Sequence, residues 1–214
     1  MKSVYIVFSA TPYKMGRLIR TVLRNPYNHV SLAFDADLTT MYSFARFHVD
    51  VPLYGGFVRE SLRRHYNGKH SSRIKVCRLD IDEDNYQRLC AFVSAMENGG
   101  NRYLYNTYSA MCTPLHIRCA IPDSYTCAEF VGDALSIAGL DIPQGSFHSL
   151  IRTEALLAPY TVYEGPCEEY ARDPGWGTDH FPEKMGRLSG TAATVRSLGR
   201  LTVRAVRGLF PVHL

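Results

Sequence analysis

The chain has 214 residues, 46% of them hydrophobic, which suffices for one elaborated domain with a full core. Its six cysteines are scattered without the spacing of a small stapled scaffold, which argues against a disulfide framework. The formal charge of +4 belongs to the tail: residues 1–171 carry 17 basic and 17 acidic side chains and residues 172–214 carry seven and three, so the main body lacks the net basic charge of a nucleic-acid binder.

The first apolar run, Val4 to Phe8, is five residues long. That is too short for a signal h-region or a membrane span, and it reads as a buried strand in a cytoplasmic protein. Lys14 to Arg24 reads as a helix with Met15, Leu18, Ile19 and Val22 on one face, broken by Asn25-Pro26. The strand Tyr27 to Phe34 puts His29, Ser31 and Ala33 on one side and Val30, Leu32 and Phe34 on the other, greasier one. After a turn over Asp35 to Thr40, Met41 to Arg46 forms its antiparallel partner. Gly55-Gly56 opens a short strand to Glu60, and a basic loop follows from Arg63 to His70. Ser72 to Asp80 alternates as a half-buried strand. Asp82 or Asp84 caps a helix that runs to about Glu97 and stops at Gly99-Gly100.

Asn101 to Pro122 reads as irregular and aromatic. It leads into a helix in which Asp123, Ser124 and Thr126 are competent caps, Phe130, Val131, Ala134, Leu135 and Ala138 recur at helical spacing, and Gly139 ends the run. A short helix around Thr153 to Leu157 and a strand from Tyr160 to Gly165 complete the main domain, residues 1–171. Asp173-Pro-Gly-Trp-Gly177 reads as a linker, and residues 172–214 as that linker plus a basic amphipathic helix. Between Thr191 and Phe210, Arg196, Arg200, Arg204 and Arg207 share one helical face, opposite Val195, Leu198, Leu201, Ala205, Val206 and Leu209. Such a helix suits an anionic membrane surface, a dimer contact, or packing on its own domain.

The chain has no phosphate-binding glycine loop of the Walker type, no dinucleotide fingerprint and no His-Glu-x-x-His motif, so neither cofactor nor metal is expected. Cys112, His116, Cys119 and Cys127 cluster, but their gaps match no common zinc spacing. Cys127 falls in the first turn of its helix, where free backbone N–H groups and the helix dipole favour a thiolate. The competing reading is a buried cysteine acting as a small hydrophobe. A thiol nucleophile needs an imidazole held by a third polar group. Of the eight histidines, His29 fits best, being inside a strand on the less greasy face, whereas His65 and His70 lie in the basic loop and read as solvated.

The stretches Tyr27–Asp35, Met41–Arg46, Gly55–Glu60, Tyr125–Val131 and Tyr163–Gly165, in that order, resemble the circularly permuted branch of the NlpC-type papain-like cysteine peptidases and amidases, a branch that includes the lecithin retinol acyltransferase group. As a set they are similar to cytoplasmic Firmicutes proteins of that branch. The resemblance spans roughly residues 3 to 171. It implies an α+β, permuted papain-like fold in which an antiparallel sheet packs against the helix that starts at the nucleophile. It makes Cys127 the nucleophile, His29 the general base and Ser43 the residue that orients His29. A substrate carboxylate would fall to Arg46, and Tyr5 and Tyr105 are candidates to join the Cys127 N–H in an oxyanion hole. The activity it implies is hydrolysis of a peptide or acyl amide through an acyl-enzyme. The alternatives are acyl transfer or thioester hydrolysis on lipid-derived acyl groups, and a non-catalytic binding module. Expected partners are a small-molecule, peptide or acyl substrate and no nucleic acid, with a membrane surface or a second subunit for the tail helix.

Overall fold

Strands whose small and apolar residues alternate sides have two faces to cover, and here both are covered. The structure, a computed structural model, describes residues 1–65, 72–142, 148–170, 179, 181 and 183–209, the side chains of 63 and 209 apart. It is a mixed α+β protein built on one eight-stranded sheet. The strands are β1 (Lys2–Ser9), β2 (His29–Ala33), β3 (Met41–Arg46), β4 (Gly55–Glu60), β5 (Arg73–Ile81), β6 (Leu104–Tyr105), β7 (Ser124–Tyr125) and β8 (Thr161–Pro166). They lie in the order β7-β6-β4-β3-β2-β1-β5-β8. All neighbours are antiparallel except β6 and β7, which pair in parallel.

The helices are α1 (Lys14–Leu23), α2 (Glu83–Asn98), α3 (Thr107–Cys112), α4 (Cys127–Ile137), α5 (Leu150–Leu157), α6 (Cys167–Tyr170) and α7 (Arg187–Leu209). On one sheet face Phe8, Val30, Leu32 and Phe44 pack against Phe130, Val131 and Leu135 of α4 and Leu89 and Val93 of α2. Phe130 is the hub, with the rings of Phe44, Phe57 and Phe92 centred 5.7, 5.7 and 5.8 Å away. Truncating such a side chain to alanine costs about 3–5 kcal/mol, so α4 is fixed to the sheet by its middle while its first turn reaches the sheet's end. The opposite face carries Val7, Ala33, Met41, Ile74 and Val76 under Leu62 and Cys167.

Two expectations are corrected. The segment Asn101 to Pro122 is not simply irregular: it holds β6, α3 and a 3-10 turn at Thr113–Leu115, pieces too short to show a period. The basic loop after Glu60 begins with a second 3-10 turn, Leu62–His65, that buries His65 completely instead of leaving it in solvent. The rest of that loop, with His70, and the linker 173–177 lie outside the described residues.

The tail helix α7 packs on the domain rather than standing apart. Leu201 is fully buried and joins Leu104 and Ile121, with Leu198, Ala205 and Tyr108 around them. Two of its arginines face the domain too: Arg200 donates to the Asn101 carbonyl at 2.8 Å, and Arg204 to the carbonyls of Arg102 and Asp123 at 2.9 and 3.1 Å. Two of the four stripe cations thus cap carbonyls left open by the short elements around β6 and β7. Among the described residues no helix is long and apolar enough to cross a membrane.

Candidate active site

The site begins at the start of α4. Thr126 is the N-cap: its hydroxyl accepts the Glu129 N–H at 3.2 Å, and the Glu129 carboxylate accepts the Thr126 N–H at 2.7 Å, a closed capping box. Glu129 is 3% exposed and also accepts from Ser109 Oγ at 2.8 Å, which ties α3 to this turn. Asn106 caps α3 through Ser109 N and donates to the Cys119 carbonyl at 2.7 Å, fixing the segment that follows. The result is a rigid first turn with half-buried Cys127 as its first residue.

His29 opens β2 opposite Ser9 and is 8% exposed. Its ring and the Cys127 side chain line one cavity and interact across it. The other side of the ring is held by Glu60, the last residue of β4: Nε2 donates to Oε1 at 2.9 Å and lies 3.1 Å from Oε2. With Nε2 bound to the carboxylate, Nδ1 is the nitrogen left for the thiol. Glu60 is itself fully buried at its side chain, accepts from the Ser31 hydroxyl, and has Arg64 Nε 3.6 Å away. Arg64 is anchored in turn by Asp179 at 2.7 Å.

The charges of this unit support one another. Burial by itself disfavours the imidazolium, but the Glu60 carboxylate and the contact with Cys127 outweigh it and raise the His29 pKa well above the imidazole range. Burial also works against the Glu60 carboxylate, yet His29 and Arg64 hold its pKa far below the usual value. His65 sits beside the pair, its ring centre 6.5 Å from that of His29, with neither ring nitrogen hydrogen-bonded. Burial pushes its pKa down to about 4, which keeps it neutral.

A cavity of about 230 Å³ opens over this unit, lined by Cys127, His29, Glu60, Arg46, Tyr105 and Phe181 among others. Tyr105 is placed there because β6 pairs with β7, the strand just before Cys127, in the register Tyr105 to Tyr125. Burial first, and then the nearby Cys127 and Glu129, raise its phenol pKa, so its hydroxyl stays a neutral donor. Arg46 lines the same cavity, stacked 5.4 Å from the Phe181 ring, and makes no ion pair among the described residues.

Of the residues singled out in the sequence, Cys127, His29, Arg46 and Tyr105 line one cavity and two stand elsewhere. Ser43 is on the His29 side of the sheet and fully buried, yet its hydroxyl makes no hydrogen bond, because the longer Glu60 side chain occupies the ring nitrogen that Ser43 was expected to hold. Tyr5 lies four residues along β1 from Ser9, roughly 13 Å away at the strand rise, and packs on the second core beside Tyr170. The missed residue is Glu60. Its signal was legible, since Gly56, Val58 and Glu60 share one strand face and a carboxylate on that otherwise apolar phase demands a partner. Among the described residues no group of three or more His, Cys, Asp or Glu is placed to hold a metal ion. No family model, curated protein or solved structure matches the chain.

Proposed function

We propose that the protein is a cysteine-dependent acyl-transfer enzyme, with amide hydrolysis as its leading reaction and Cys127, His29 and Glu60 as its reacting unit. The observation that carries this is the buried Glu60 carboxylate on His29 Nε2, with the same ring sharing a cavity with a thiol at a capped helix start. A purely structural cysteine has no use for an oriented, charge-supported imidazole. In the reaction Cys127 Sγ attacks the carbonyl carbon while His29 Nδ1 holds the thiol proton. The oxyanion meets the Cys127 backbone N–H, a first-turn donor without an intrahelical acceptor, and the Tyr105 hydroxyl. His29 then passes its proton to the leaving nitrogen, and the thioester is released by water whose proton returns to Nδ1. Arg46, a cation in the cavity wall with no acidic partner among the described residues, suits a substrate carboxylate. This reading agrees with the permuted papain-like order of the matching sequence stretches.

A second reading, acyl transfer or thioester hydrolysis on lipid-derived groups, is favoured by one observation. A further cavity of about 360 Å³ reaches Cys127 between α1 and α3 and is walled by Leu18, Ile19, Val22, Met111 and Leu150. The two readings separate by trapping Cys127 with a matched panel of peptide-amide and long-chain acyl-thioester electrophiles, followed by mass analysis. Adducts only from the peptide set support the amidase, adducts only from the acyl set support the second reading, and no adduct from either overturns both.

A further inference from the structure

The outer side of α1 is built unlike the rest of the surface. The helix touches the domain through Gly16, where a Cβ would collide with Thr11, and through Arg20, which donates to the Thr11 carbonyl and to Asn28, both at 2.8 Å. At 100° per residue the arc opposite this contact carries Leu18, Val22 and Lys14, with Arg17 on its flank and Arg24 at the C-cap of the helix, all exposed. Leu18 is 59% and Val22 55% exposed. Across the cavity that reaches Cys127, the end of α3 and the turn after it present Met111, Leu115 and Ile117 at 71, 70 and 51%. Two separate elements thus aim bare aliphatic side chains outward on either side of one groove, which isolated surface residues do not explain.

The charge on the α1 side of this patch has one sign. The first 34 residues hold five Lys or Arg and no Asp or Glu, and Lys14, Arg17 and Arg24 among them are exposed. On the other side Arg102 and Arg118 are already paired with Asp123 and Glu129, so the rim cations are those of α1. Apolar side chains at the centre and cations at the rim match the chemistry of an anionic bilayer, with acyl chains below and phosphate above. A protein partner of the same sign pattern would leave the cations unpaired.

From this we propose that α1 and the Met111–Ile117 segment form a docking surface for an anionic lipid membrane, with the groove to Cys127 opening onto it. The tail helix is the weaker candidate. Arg200 and Arg204 are spent on backbone carbonyls, and its exposed Val195, Val203 and Val206 are interrupted by Gly199 and Thr202. The proposal does not depend on the catalytic reading, because Cys127→Ala leaves the surface intact.

The test is co-sedimentation of the full chain with vesicles of phosphatidylcholine alone or mixed with phosphatidylglycerol. Binding is expected on the mixed vesicles only, weakened by salt. Leu115→Glu should weaken it about tenfold, and Arg17→Glu with Arg24→Glu by about fivefold per charge removed. Circular dichroism and the rate of Cys127 alkylation, unchanged in Leu115→Glu, show that the fold is kept. Cys127→Ala should bind like the wild type, which separates failure of this proposal from failure of the enzymatic one. The proposal is overturned by absence of binding, by loss that follows Arg196→Glu and Arg207→Glu on α7 instead, or by a dimer in solution that Leu115→Glu dissociates.

Discussion

Replacing Glu60 by glutamine keeps the size and shape of the side chain and removes the charge that sustains His29. At 2.9 Å and an effective dielectric of about 20, the His29–Glu60 attraction is on the order of 5 kcal/mol. Desolvation of both groups offsets part of it, and breaking a buried pair of this kind costs about 3–5 kcal/mol. The glutamine amide retains a neutral hydrogen bond worth about 1 kcal/mol, so roughly 3 kcal/mol of support for the imidazolium is lost. Burial then dominates the ring and the imidazolium is depleted at pH 6. At 1.36 kcal/mol per decade this lowers the Cys127 alkylation rate by about 100-fold at pH 6. The same loss lowers the melting temperature by roughly 6–12 °C for a chain of this size. The assay is iodoacetamide modification followed by mass spectrometry between pH 5 and pH 9, with a thermal melt in parallel. Ser43→Ala is the control and should change the rate less than about threefold, because its hydroxyl has no partner to lose. A Glu60→Gln protein with the wild-type rate at pH 6 refutes the reasoning, as does a Ser43→Ala protein with the larger loss.

Three further outcomes follow from the same geometry. His65 has its folded pKa depressed from 6.5 to about 4, so its contribution is fully present above the unfolded value and is lost as pH falls through the folded one. Relative to the wild type, His65→Leu should therefore gain about 3 kcal/mol in urea unfolding between pH 7 and pH 4, and a constant difference would contradict the burial of His65. Tyr105→Phe should slow acylation by an ester or amide substrate roughly 100-fold while leaving iodoacetamide alkylation, which develops no oxyanion, within a factor of two. Equal losses in both assays would assign Tyr105 to packing instead. Gly132→Ala puts a methyl group into the His148 ring against the buried face of α4 and should cost about 1–3 kcal/mol, read as a lower melting temperature.

The elements that the sequence made plain are those whose pattern repeats. β3 has the bounds expected of the partner to the His29 strand, β4 begins at the glycine pair that opens it, and α4 begins at Cys127 because Thr126 and Glu129 form the reciprocal cap that their spacing allows. β6 and α3 escaped because two and six residues show no period, and both exist through side-chain anchors such as Asn106 that join distant carbonyls. His65 escaped for a different reason. A run of basic residues reads as solvated, yet the turn after β4 tucks one of its histidines inward while Asp179, more than a hundred residues away, fixes the neighbouring Arg64. Such pairings are set by tertiary packing and leave no local trace.

The choice of Ser43 over Glu60 shows where position on a strand misleads. Both residues point to the same side of the sheet as His29, so alternation cannot separate them, and Ser43 stands on the adjacent strand while Glu60 is one strand further away. What separates them is desolvation. A buried serine without a partner costs about 1–3 kcal/mol, whereas a buried carboxylate without one costs far more, so only the carboxylate forces its surroundings to supply cations. Glu60 has accordingly gathered His29, Ser31 and Arg64, and Arg64 has gathered Asp179. An acid on the inward phase of a strand therefore says more about where a histidine is held than a hydroxyl one strand closer does. In this chain the network it gathers ends on the ring that shares a cavity with Cys127.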